Sequence, residues 1–131
     1  MAALTAASPG TALALVNQAR LVLLDAAATG DPGERFRLAQ LSALRTAAAV
    51  AAQRGRPAAS RRRLVSVWVL LERVAPELAE WAGYFAAGAP VRAAIEAGAL
   101  SAVTLRAADD QVRAATEFLE LVEGSLGLLA A

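Results

Sequence analysis

All 13 basic residues of this 131-residue chain are arginine, and five of them crowd into RGRPAASRRRL: Arg54, Arg56, Arg61, Arg62 and Arg63. A planar guanidinium pairs with phosphate through two parallel hydrogen bonds, so an arginine cluster suits a phosphate-gripping loop. Such contacts weaken steeply with salt. The stretch has no aromatic side chain, and base stacking requires one. Arg56, Arg61, Arg62 and Arg63 are therefore candidate phosphate contacts without a base reader; the alternative is a solvated connection between two helices. A second charged group, Arg106, Asp109, Asp110 and Arg113, lies in TLRAADDQVRAAT, with Arg113 a further candidate for phosphate. On a helix Arg106 would face Asp110 and Asp109 would face Arg113, one turn apart. That group reads either as an ion-pair ladder with acids near a helix N-terminus, where the dipole favours them, or as a nucleotide pocket or relict active site. The two adjacent aspartates make a poor Mg²⁺ site, because successive side chains on a helix diverge.

Composition removes most other chemistry. The chain has no His, no Cys and no Lys. The commonest general base and metal ligand is missing, and so are thiolate, disulfide and Schiff-base chemistry. No cofactor and no metal is expected. The net charge is +1, so no global field steers a polyanion. Outside the arginine cluster, eight arginines face 12 acidic residues, a balance of −4. The opening MAALTAASPGT has no basic region and no clean apolar stretch of the kind a targeting signal needs. No uninterrupted apolar run of about 18 residues occurs, so no membrane span is expected and the reading is cytoplasmic. The mean hydropathy of +0.46 is high, largely through alanine.

The elements that must carry these residues are helices. Ala, Leu and Arg are good helix formers, and no strand alternation is visible. Residues 1–8 are expected to be disordered, 9–126 to form one helical domain, and 127–131 an apolar tail. The first helix begins near Pro9 to Thr11 and ends by Thr29-Gly30, with Leu13, Val16, Ala19, Leu23 and Ala27 as its stripe. Asp31-Pro32 reads as an N-cap followed by proline at the first helical position. The second helix spans about Pro32 to Gln53, stopped by Gly55 and Pro57. Ser66 caps a third, whose Trp68, Leu71, Ala75, Leu78, Ala82 and Phe85 keep 3-4 spacing, with a kink expected at Pro76. Gly88-Ala89-Pro90 is expected to end it, and Val91 to Ala97 to form a short helix closed by Gly98. The last starts near Thr104. Trp68, Trp81, Tyr84 and Phe85 are expected in the core, and Glu72, Glu77 and Glu80 on a solvated face.

Short loops between apolar-striped helices define an all-α, up-and-down bundle of four to five helices. Two helices are apolar on more than one face. They are either central to the bundle or part of a homodimer interface, which the apolar surplus favours.

The strings SVWVLLERVAPELAEWAGYF, TLRAADDQVRAATEFLELVE and ERFRLAQLSALRTAAAV resemble a small HEPN-domain family of actinobacteria, over roughly residues 10 to 125. The resemblance implies a compact helical bundle, commonly dimeric. Many members of the wider superfamily are metal-independent ribonucleases of toxin–antitoxin, defence and RNA-processing systems. Their motif is an arginine followed about four to six residues later by a histidine, which handles the proton while the arginine steadies phosphorane charge. Here Arg106 is followed by Asp110 and Gln111 at the place of the histidine. Arg106 and Asp110 are thus weak catalytic candidates, and the resemblance points to a non-catalytic module that binds RNA, a nucleotide or a protein partner such as an antitoxin. The alternatives are a divergent ribonuclease and a purely structural subunit.

Overall fold

The computed structural model describes residues 9–54, 66–99 and 101–127. The expectations for residues 1–8 and for Arg56, Arg61, Arg62 and Arg63 lie outside the described residues, as does most of the apolar tail.

Five α-helices carry the described chain: α1 (Pro9–Ala28), α2 (Pro32–Gln53), α3 (Val67–Val74), α4 (Ala79–Glu96) and α5 (Leu105–Ser125). Helix boundaries follow local chemistry. The Asp31 carboxylate accepts from the Glu34 amide at 2.9 Å and starts α2, with Pro32 at the first helical position. Ser66 and Thr104 cap α3 and α5 through their hydroxyls, which accept from the Val69 and Ala107 amides. At Pro76 the single kinked helix expected from Ser66 to Gly88 is corrected to two helices, α3 ending at Val74 and α4 starting at Ala79. The residue before a proline is pushed out of the helical region, and Ala75 sits at φ −144°, ψ 72°. A single 3₁₀ turn, Pro76–Leu78, then feeds α4.

Two expectations for α4 are corrected. The helix does not end at Gly88-Ala89-Pro90; it runs unbroken to Glu96, and Val91 to Ala97 is its last stretch rather than a separate helix. Gly88 marks a close approach instead of a stop. A Cβ there would lie 2.5 Å from Gln40 Nε2 and 3.3 Å from Phe36 Cζ. Pro90 costs one backbone hydrogen bond, but its ring lies on the exposed side of the helix, away from the packed face. The helix ends at Gly98, which takes φ +100°. The Ala99 amide donates to Ala94 O and the Gly98 amide to Ile95 O, both at 2.9 Å, which is the Schellman arrangement.

Helix α2 is central, packed by all four others. It buries Ala39, Ala43, Ala47 and Val50 toward α3, α4 and α5, and Ala49 toward α1. Aromatic rings fill the far side. Trp68 stacks on Phe85 at 5.4 Å, Trp81 on Phe118 at 5.4 Å, and Phe85 and Phe118 are 5.4 Å apart. Each such pair adds about 0.5–1.5 kcal/mol beyond the area it buries.

Helix α1 keeps its expected stripe at Val16, Ala19 and Leu23 and departs from it at both ends: Ala12 and Ala26 are buried, whereas Leu13 is 45% exposed and Ala27 faces out. Small residues line the interface and let the helices touch closely: Ser42 Oγ on α2 donates to Ala19 O on α1 at 2.8 Å. Arg20 and the buried Glu123 then pair α1 to α5. Over Gly10–Ala28, α1 is long and apolar enough to cross a membrane by length and composition, while one of its faces is packed against the bundle.

Candidate functional site

Charge patterning along α5 sets the site. Asp110, Arg113, Ala114 and Glu117 recur at the 3-4 spacing of one helix face. On α4, Trp81 and Tyr84 have the same spacing, with Glu80 beside them. The aromatic stacking of Trp81 on Phe118 brings the two faces together. Between them lies an open groove of about 590 Å³, lined by Glu80, Trp81, Tyr84, Asp110, Arg113, Ala114 and Glu117. Trp81 and Ala114 supply apolar lining, and the remaining side chains are polar or charged.

Of the two ion pairs expected along α5, Arg106–Asp110 forms and Asp109–Arg113 does not. Arg113 donates to Asp110 at 2.9 Å rather than to Asp109, and Arg106 approaches the same carboxylate at 3.8 Å. Asp109 turns away to Arg35 of α2, whose guanidinium also donates to Thr29 O at 2.7 and 3.0 Å. Arg35 thereby ties the α1–α2 connection to the start of α5. The two aspartates serve different neighbours, and among the described residues no cluster of acids, His or Cys is arranged to hold a metal ion.

Of the two residues expected at the place of the superfamily histidine, Asp110 stands on the groove and Gln111 points into the bundle. It is 5% exposed, and its Oε1 accepts from Gln40 Nε2 at 2.7 Å. Gln40 Nε2 also donates to Phe85 O at 3.1 Å. On its other side Gln111 Nε2 approaches the Tyr84 hydroxyl at 3.4 Å. A buried amide pair thus runs from the centre of α2 to the rim of the groove, in the space that Gly88 leaves open. Buried amides without partners are costly, so this pairing fixes how α2, α4 and α5 meet.

Of the four aromatics expected in the core, Trp68 and Phe85 are buried, Trp81 is half-buried, and Tyr84 is corrected. Tyr84 is 44% exposed and stands on the groove wall. Burial on its inner side, and secondarily the Asp110 charge, push its phenol above the ordinary tyrosine value. Glu72, Glu77 and Glu80 are exposed as expected. Glu77 is held by Arg54, the first arginine of the cluster, at 2.6 Å, and that hydrogen bond lowers the Glu77 carboxyl below its usual range. Arg54 also donates to Val74 O at 2.8 Å, closing the end of α3. Sequence reasoning singled out Arg106, Asp110 and Arg113. It missed Tyr84, Glu117 and Ala114 as their companions, although the 110-113-114-117 spacing on α5 carried that signal.

The sequence profile of the SAV_6107-like HEPN family matches residues 26–123, about three quarters of the chain. The chain belongs to this HEPN-domain family. The match covers α2 to α4 and most of α5, and α1 lies almost wholly ahead of it. No curated protein and no solved structure matches the chain.

Proposed function

We propose that this HEPN domain is a non-catalytic interaction module whose working surface is the α4–α5 groove, and that it binds a protein partner. The observation that carries this reading is Gln111. Of the two residues at the place of the catalytic histidine, Gln111 cannot titrate and is engaged with Gln40, and the Asp110 carboxylate is paired with Arg113. Arg106, 87% exposed in its side chain, has only Asp110 beside it. Loss of general acid–base help costs about 10² to 10⁴ in rate. The groove itself has three carboxylates and one arginine, a poor match for polyphosphate.

A cytoplasmic setting and a pairing of the toxin–antitoxin or defence kind belong to this proposal. So does an actinobacterial origin, which the all-arginine, alanine-rich usage favours. A homodimer is part of it too, supported by Leu13, Leu21 and Leu24, which leave α1 apolar on its outer side at 45%, 63% and 62% exposure. Light scattering should give twice the 13.4 kDa of the chain; the monomer mass at micromolar concentration contradicts the dimer. RNA binding is the second reading, favoured by the clustered Arg56, Arg61, Arg62 and Arg63.

RNA binding and cleavage, measured together at low and physiological salt, test the proposal. The native chain is compared with an Arg61→Ala, Arg62→Ala, Arg63→Ala variant and with Arg106→Ala. The expected result is no cleavage by any of them and at most weak, salt-sensitive binding that the triple variant loses. Cleavage abolished by Arg106→Ala overturns it.

A further inference from the structure

We infer that the α4–α5 groove receives an arginine side chain of a basic protein segment, its guanidinium laid against Trp81 and Tyr84 and held by Glu80 and Glu117. This rests on the groove being the partner surface. Three features of the groove converge on that occupant. The first is charge: Glu80, Asp110 and Glu117 outnumber Arg113, and Arg113 already spends its charge on Asp110. Among the described residues Glu80 and Glu117 have no ion-pair partner, so two carboxylates stand free at the groove. The second is the lining. Trp81 is half-buried and lines the groove, and Tyr84 stands beside it on the groove wall. Cations settle over such rings, arginine more often than lysine, because the guanidinium plane also stacks.

The third is precedent within the molecule. A guanidinium, that of Arg113, already lies in the groove at 2.9 Å from Asp110. A second one arriving from a partner finds the same carboxylate chemistry at Glu80 on α4 and at Glu117, about two helical turns along α5 from Asp110. A carboxylate-rich partner or a phosphate meets like charge at the same places. The apolar surface of Ala114 leaves room, since a larger side chain there would fill the space between the helices.

Isothermal titration with hexa-arginine, hexa-lysine and inorganic tripolyphosphate tests this. The native chain should bind hexa-arginine about threefold or more tighter than hexa-lysine, and should not bind tripolyphosphate. A Glu80→Gln, Glu117→Gln variant should weaken hexa-arginine about tenfold. A Glu72→Gln, Glu120→Gln variant changes the charge equally at exposed positions outside the groove and should leave affinity unchanged. Equal losses in the two variants, or binding of tripolyphosphate, overturn the inference. The chain has a single tyrosine, so absorbance reports Tyr84 alone: saturating hexa-arginine should lower its phenolic midpoint, and an unmoved midpoint also overturns the inference. Failure here without RNA cleavage leaves the non-catalytic reading intact; RNA cleavage overturns that reading whatever the peptide does.

Discussion

The two sides of α2 are built on opposite principles. Toward α1 it presents small surfaces, and Ala12, Val16, Ala19 and Ala49 let two backbones approach until a serine hydroxyl reaches a neighbouring carbonyl. Toward α3, α4 and α5 it faces a stack of rings, Trp68, Phe85 and Phe118, with Trp81 at its edge. The first side gains its energy from closeness and the second from area. The difference explains where the groove lies. Rings hold helices apart, and Trp81 is shared between the core and the open space between α4 and α5. Alanine faces leave no such gap.

The contrast is easiest to break in the ring stack. Phe118 is fully buried and touches Trp68, Trp81 and Phe85. Phe118→Ala should cost about 3–5 kcal/mol, read as a large fall in the urea midpoint. A loss below about 1 kcal/mol would mean that the aromatic side is not tightly packed. On the alanine side the sensitive change runs the other way. Ala19 is 0% exposed against α2, and Ala19→Leu should cost about 1–3 kcal/mol by overpacking. If Ala19→Leu is neutral, α1 is held more loosely than the Ser42 contact implies.

The smallest effect sharpens the contrast from the surface. The Arg37 hydrogen bond lowers the Glu34 carboxyl below its ordinary 4.5. A lowered carboxylate contributes stability above that value and loses it as pH falls through the folded-state value. Glu34→Gln should therefore remove part of the acid sensitivity below about pH 4.5, worth less than about 0.5 kcal/mol for an i,i+3 pair this exposed. An effect as large as that of Ala19→Leu would put the surface on a par with the core.

Much of the fold was legible because its punctuation is chemical. Asp31-Pro32, Ser66, Pro76, Gly98 and Thr104 each act through one backbone group, and each sits where its chemistry places it. Gly88-Ala89-Pro90 misled because glycine and proline also serve purposes other than stopping a helix. Here one admits Gln40 and the other faces out. The ends of the α1 stripe were hidden by composition: with Ala and Leu on every face, only the partner's shape decides that Ala12 and Ala26 are buried in place of Leu13 and Ala27. Tyr84 and Phe85 are neighbours with nearly equal hydrophobic claims, and the hydroxyl decided which one turned to the groove. Arg106, Asp110 and Arg113 were visible as charges on one helix. The groove that Asp110 and Arg113 border was not, because its other wall is supplied by α4.

The most direct test is an amide chemical-shift map of the chain titrated in turn with hexa-arginine and with a short single-stranded RNA at physiological salt. The account predicts that hexa-arginine moves residues 80–84 and 110–117, and that RNA leaves them in place. Shifts produced there by RNA, or by hexa-arginine only elsewhere, would contradict it.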